Sequence, residues 1–162
     1  MLNPNSPLSR LLNAPMRPGT VQWIGVRPSR GAAMASLDRV ALDTRHGVAG
    51  DRYEGRSGNR QVTLIQSEDL HAISAYLGQP VAPEQLRRNI LVSGITLLAL
   101  KDKRFRLGSA LLEMTGECHP CSQMEATFGV GGYNAVRGHG GITARVLEDG
   151  EVSIGDSLSV TT

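Results

Sequence analysis

The chain has 162 residues, 40% of them hydrophobic and 20% charged, with a formal net charge of +2. That length suits one domain able to form a core without disulfides. Aromatics make up only 4%, too few for the stacking platforms of base-reading modules, so nucleic-acid binding is not expected. No apolar run approaches the 18 residues of a membrane span, and no apolar secretory leader is present, which makes the cytoplasm the expected compartment.

Of the 17 basic residues only Lys101 and Lys103 are lysine; the other 15 are arginine. A GC-rich genome gives such a bias, and so does a site that grips oxyanions with guanidinium forks. Cys118 and Cys121 form a single CxxC. Two thiols exclude a disulfide scaffold, an iron–sulfur cluster and a four-cysteine zinc site within one chain.

In chain order, residues 1–19 carry Pro4, Pro7, Pro15 and Pro18 around a short apolar piece, Leu8–Asn13, and read as an arm or single helical turn. Thr20–Arg27 reads as a strand, and Ala33–Asp43 as a second one with partial alternation. A long polar, glycine-punctuated stretch follows up to Arg60; loops of that length are functional or disordered. Arg60–Gln66 is a strand, and Ser67 begins the strongest helix, with Ser67 as N-cap, Glu68 and Asp69 in the first turn and Gly78 at the end. A helical turn over Pro83–Leu86 precedes a strand at Asn89–Ser93. Arg104–Leu107 and Ser109–Thr115 form two strands about Gly108, and Ser122–Phe128 is a short amphipathic segment after the CxxC. Gly129–Gly141 holds six glycines with no clear helix, and Ile142–Leu147 and Ser157–Val160 are the last strands, separated by turns at EDGE and GD. Many short strands, few helices and no regular βαβ alternation predict a mainly β (α+β) fold. The expected form is a barrel of mostly antiparallel strands with a few flanking helices, spanning residues 20–162.

Three stretches could carry chemistry. The CxxC fits two small buried thiols, a redox pair beside a helix N-terminus, a thiolate on a soft metal brought by a cofactor, or zinc shared with His119 and His139. The arginines Arg27, Arg30, Arg52, Arg60, Arg87 and Arg88 fall at strand ends beside Gly, Pro or Asn. Such loop rims suit a phosphate-bearing ligand. The glycines of 129–141 match neither a dinucleotide fingerprint nor a P-loop, and imply close backbone approach or a tight bend.

The ordered segments VRPSRG (26–31), GDRY (50–53), RQVTLIQ (60–66), LRRNILVSG (86–94), FRLG (105–108), CHPC (118–121), GGYNAVRGHGGITARV (131–146) and GD (155–156) together resemble the MOSC domain, the C-terminal domain of molybdenum-cofactor sulfurases. The short stand-alone bacterial members are the nearest in kind. The resemblance implies a MOSC β-barrel that binds molybdenum cofactor. In it Cys121 is the metal ligand and catalytic residue, and Arg87, with Asn89 two residues on, contacts the molybdopterin phosphate. Arg27 or Arg30 is the basic residue of the first loop, Asp51 and Arg52 are the acidic–basic pair of the second, and Arg60, His119 and His139 lie around the cofactor. The pyridoxal-phosphate domain of a full sulfurase has no counterpart here. The implied function is a small molybdoenzyme reducing N-hydroxylated substrates, small molecules, with electrons from a separate reductase. The alternatives are a carrier of cofactor or persulfide sulfur, and a CxxC thiol–disulfide oxidoreductase.

Overall fold

The computed structural model describes residues 2–52 and 57–161. Tyr53 of the GDRY segment, with part of the long polar stretch, therefore lies outside the described residues. The arm forms a six-residue helix, α1 (Pro7–Leu12), capped by the Ser6 hydroxyl, which accepts from the Ser9 amide. The strands are β1 (Gly19–Val26), β2 (Ala35–Leu37), β3 (Arg39–Asp43), β4 (Gly47–Val48), β5 (Val62–Gln66), β6 (Ile90–Ser93), β7 (Arg104–Leu107), β8 (Ala110–Glu117), β9 (Ile142–Glu148), β10 (Gly150–Ser153) and β11 (Ser157–Val160). Further helices among the described residues are α2 (Ser67–Leu77), α3 (Pro83–Leu86), α4 (Ser122–Phe128) and α5 (Gly132–Val136), with a 3-10 turn at Leu97–Leu100.

Strand order β11-β7-β8-β9-β5-β6-β1, closed by pairing of β1 with β11, makes a seven-stranded barrel among the described residues. Closure removes the free edges that an open sheet would present. β1 serves three neighbours because its ends diverge. Gly19 and Thr20 pair with β11, whereas Ile24–Val26 pair with β2, and a register shift between Val21 and Trp23 separates the two stretches. The mainly β, largely antiparallel barrel expected from the sequence is the observed fold, with one parallel pair.

That pair is β5 and β6, joined through α2 and α3. The sequence shows no regular βαβ alternation, and a single such unit is nonetheless present. Both strands are buried almost throughout, as parallel strands covered by helices must be. One core fills the barrel around Ile24, Leu42, Leu64, Phe105, Leu107 and Leu112. A second lies outside it, where Ile65 and Leu91 meet Leu70 and Ile73 of α2, Leu86, Met124, Phe128 and Val136. Ile65 and Leu91 point to the opposite face from Leu64 and Ile90, so the period-2 alternation of the two strands feeds both cores.

Several local expectations need correction. Ala33–Asp43 is two strands rather than one, because the chain leaves the barrel at Asp38: β2 stays on β1, while β3 joins a small sheet with β10 and β4. β10 itself falls where only a turn is legible. The cap of α2 is Gln66, not Ser67; Gln66 is extended, and its side chain accepts from the Leu97 amide at 2.7 Å. The glycine-rich stretch contains α5, which has no strong local propensity. Its first amides are met by the Glu125 carboxylate, which accepts from Gly131 and Tyr133 at 3.2 and 3.0 Å. Those bonds hold Glu125 below the usual carboxylate range. No helix among the described residues is long and apolar enough to cross a membrane.

Candidate functional site

At the C-terminal end of β1 the chain meets the loop after β4. The Arg27 amide and Nε both donate to Asp51 Oδ1, at 2.7 and 3.1 Å, and Nη2 donates to Oδ2 at 2.8 Å. The Asp51 side chain is wholly buried. Asn89 lies beneath it: its Oδ1 accepts from the Thr63 amide and hydroxyl, and its Nδ2 donates to Gly25 O and Asp51 Oδ1. Every donor and acceptor of the Asn89 amide is thus committed within the fold. Asn89 and Asp51 tie β1, β5 and β6 together and aim the Arg27 fork.

Burial pushes the Asp51 carboxyl up, but the hydrogen bonds and charge of Arg27 outweigh it and hold the group below its ordinary value. A depressed folded value adds stability that is present above the ordinary carboxylate pKa of about 4 and is lost as pH falls through the folded value. Asp51→Asn is therefore expected to lower the urea midpoint near pH 7 and to flatten the decline below about pH 5. An equally steep acid decline in the variant would assign that sensitivity to other carboxyls.

The arginines divide by environment. Arg30 and Arg52 are exposed, the latter donating its backbone N–H to Arg27 O at 2.8 Å. Arg87 closes α3 in the left-handed region, with φ of 58°, and is half-exposed. Arg88, not Arg87, turns inward. It is 9% exposed, with Nε donating to Gly140 O at 2.8 Å and Nη1 to Leu86 O at 2.9 Å. Its Nη2 is buried and has no partner. Desolvation lowers the affinity of this guanidinium for its proton, and the nearby Cys118 and Cys121 thiols act in the opposite sense.

The thiols themselves differ. Cys118 is 3% exposed at the end of β8, and its amide donates to Gly141 O at 2.9 Å. Arg60, otherwise exposed, brings Nη2 to 3.8 Å from Cys118 Sγ. Cys121 is exposed and forms the N-cap of α4. The glycines explain how the segments fit. A Cβ on Gly140 would overlap Cys118 O and press on Arg88 Nη2, and one on Gly141 would overlap Leu64 O. Close backbone approach is thus the reason for glycine at these two positions.

The histidines part company. His119 is exposed on a cleft that Asp69, Leu98, Glu117, Cys118 and Gly140 also line. His139 binds Asp69 through Nδ1 at 2.7 Å and does not gather with the cysteines; among the described residues no three His, Cys, Asp or Glu side chains are placed to hold an ion. A zinc site made of both cysteines and both histidines is therefore not assembled. The family resemblance implies Arg87 as the phosphate contact, whereas Arg88 is the one of the two that is buried. Adjacent arginines differ by one residue of backbone direction, and that direction is set by the left-handed Arg87.

The chain is thus a small closed β-barrel of mixed strands, with a CxxC leaving β8 and a buried arginine, Arg88, before β6. The chain belongs to the MOSC domain family, whose model matches residues 43–159. Among solved structures it is similar to the YuaD protein from Bacillus subtilis, with 22% identity, a TM-score of 0.77 and coverage of 89% of this chain and 96% of that one. YiiM from Geobacillus stearothermophilus gives 19% identity and a TM-score of 0.74, covering 90% of this chain and 76% of that one. YiiM from Escherichia coli gives 19% and 0.65, covering 88% and 70%. At these identities the likeness is one of fold. No curated protein sequence is matched significantly.

Proposed function

We propose that this chain binds molybdenum cofactor and works as a small molybdoenzyme, reducing N-hydroxylated small molecules with electrons from a separate reductase. The observation that carries the reading is Arg88 Nη2, a buried guanidinium nitrogen with no partner, behind the CxxC. An unpaired buried donor on a cation is costly, and a phosphate oxygen is the natural acceptor for it. The residues present fit the group: Cys121 is an exposed thiol free to ligate a soft metal, while Arg88, Arg27 and Arg60 supply guanidinium donors of which Arg27 is already oriented by Asp51. When bound, the cofactor supplies a metal centre able to exchange the two electrons that N–O cleavage needs. The chain's own share is to hold the phosphate, present the ligating thiol and keep Cys118 dry beneath it.

The test is metal analysis of chain produced in a host that makes the cofactor, purified without chelators. We expect molybdenum near one per chain, and less than about a tenth of that in Cys121→Ala, since loss of a ligand removes most metal affinity. Zinc, or no metal with both thiols reactive, overturns the reading.

The exposure of Cys121 also favours a second reading, a carrier of cofactor or persulfide sulfur. A carrier binds molybdenum yet shows no turnover of N-hydroxylated compounds with a chemical reductant. Thiol–disulfide exchange has less support, because the leading thiol of the CxxC is the buried one and an attacking thiolate needs access.

A further inference from the structure

A pair of polar side chains, from α2 and from the loop before β9, borders the cleft that Cys118 lines, with Asp69 on the lining and His139 bonded to Asp69. His139 Nδ1 lies 2.7 Å from Asp69 Oδ1. An ionised carboxylate only accepts hydrogen bonds, so this contact places the imidazole proton on Nδ1. The ring is gripped from the same helix by Tyr76, whose centroid is 5.5 Å away at a tilt of 52°. The backbone on its other side is anchored too, since Gly140 O accepts from Arg88 Nε at 2.8 Å and Gly140 packs against Cys118. His139 is thus held in position and tautomer by three contacts within one residue of the Arg88 anchor. Its side chain is nevertheless 28% exposed, and Nε2 has no hydrogen-bond partner among the described residues. Asp69 itself lines the cleft that holds Cys118, His119 and Glu117. A histidine with one nitrogen fixed by a carboxylate and the other left open is the arrangement that moves protons.

We propose that His139 is the proton donor of this site and Asp69 its positioning residue. The inference rests on the reductase reading above and adds the group that this reading lacks. Reduction of R–NH–OH takes two electrons and two protons, breaks the N–O bond and yields R–NH2 and water. The electrons come from the separate donor, a flavin or iron–sulfur reductase. Protonated His139 passes its Nε2 proton to the departing hydroxyl oxygen, which leaves as water. Solvent supplies the second proton to nitrogen and reprotonates Nε2. Asp69 holds Nδ1–H and stabilises the imidazolium. The charged and titratable groups near the pair are Tyr76 beside the His139 ring, Glu117, Cys118 and His119 on the cleft that Asp69 lines, and Arg88, bonded to the Gly140 carbonyl next to His139.

Two measurements test it. The first needs no cofactor: long-range proton–nitrogen NMR of the histidine rings, read on the neutral imidazole. Wild type is expected to show His139 as the Nδ1–H tautomer, and Asp69→Asn to show a mixture with Nε2–H. A mixed tautomer in wild type overturns the assignment. The second compares molybdenum-loaded wild type with His139→Gln, Asp69→Asn and, as a control on the exposed side of α2, His71→Gln, using one N-hydroxylated substrate and a chemical reductant. His139→Gln is expected to lower kcat about a hundredfold, with KM and molybdenum content unchanged. Asp69→Asn follows it with a displaced pH profile, and His71→Gln does not. Loss of molybdenum in His139→Gln, or an equal fall in His71→Gln, overturns the proposal. Turnover indifferent to both dyad variants overturns the dyad and leaves the reductase reading standing; loaded wild type with no turnover overturns both.

Discussion

Arg88→Met is expected to fold normally and to lose the cofactor. The side chain is 9% exposed, and two of its nitrogens are bound to the Gly140 and Leu86 carbonyls while Nη2 has no partner. Methionine keeps much of the volume of the arginine stem and removes a desolvated cation, which offsets the two carbonyls it leaves without a donor. The net change in stability is therefore expected to stay within about 1–2 kcal/mol. On the proposed reading, cofactor binding would lose a charge-assisted contact worth about 3 kcal/mol, or roughly a hundredfold in affinity. Arg88→Lys keeps the charge without the fork and should fall between the two. Urea unfolding read beside molybdenum content separates the roles. Stability lost by several kcal/mol with molybdenum retained would make Arg88 a structural pin between β6 and the glycine loop.

Gly141→Ala carries the second large effect, this time on the fold. Gly141 has φ of +86° where the chain enters β9, and a Cβ there would overlap the carbonyl of Leu64 in β5. A left-handed alanine alone costs about 1–2 kcal/mol, and overlap with backbone that sits in a barrel wall adds more. The expected loss is about 3–4 kcal/mol, a large share of the 5–15 typical of a domain. Gly138→Ala is the matched control: its φ is +80°, yet nothing lies within 4 Å of the added carbon. It should cost only about 1 kcal/mol. Equal losses at the two positions would mean that backbone conformation alone, and not the approach to β5, demands glycine. The same substitution at Gly141 should also disturb the site, because its carbonyl accepts from the Cys118 amide.

Much of the barrel could be read from local pattern. β7 (Arg104–Leu107), β11 (Ser157–Val160), α3 (Pro83–Leu86) and α4 (Ser122–Phe128) occupy the expected residues. Each is bounded by residues whose backbone preferences are intrinsic, such as Gly108, Pro83 and Gly129. Elements stabilised by distant partners were not readable. β10 is a strand because β3 lies beside it, and α5 forms because Glu125 meets its first amides and α2 and α4 pack around it. Neither has a signature within its own residues, since the stabilising atoms lie outside the element, in β3 for the one and at Glu125 and the packed helices for the other.

The site divides along the same line. Residue type alone carried the chemistry: a lone CxxC, an arginine-dominated cation set and glycines where backbone meets backbone are all written in the chain, and their order carries the family. Which arginine faces inward, which thiol is buried, and which histidine finds a carboxylate were decided by the tertiary structure. Arg87 and Arg88 are the same residue type, as are His119 and His139, and intrinsic preference cannot distinguish them. Arg88 is buried because the left-handed Arg87 turns the chain toward Gly140, and His139 is fixed because α2 brings Asp69 to it across the cleft. Both outcomes depend on contacts between segments some 50 to 70 residues apart, and such contacts exist only once the barrel has closed.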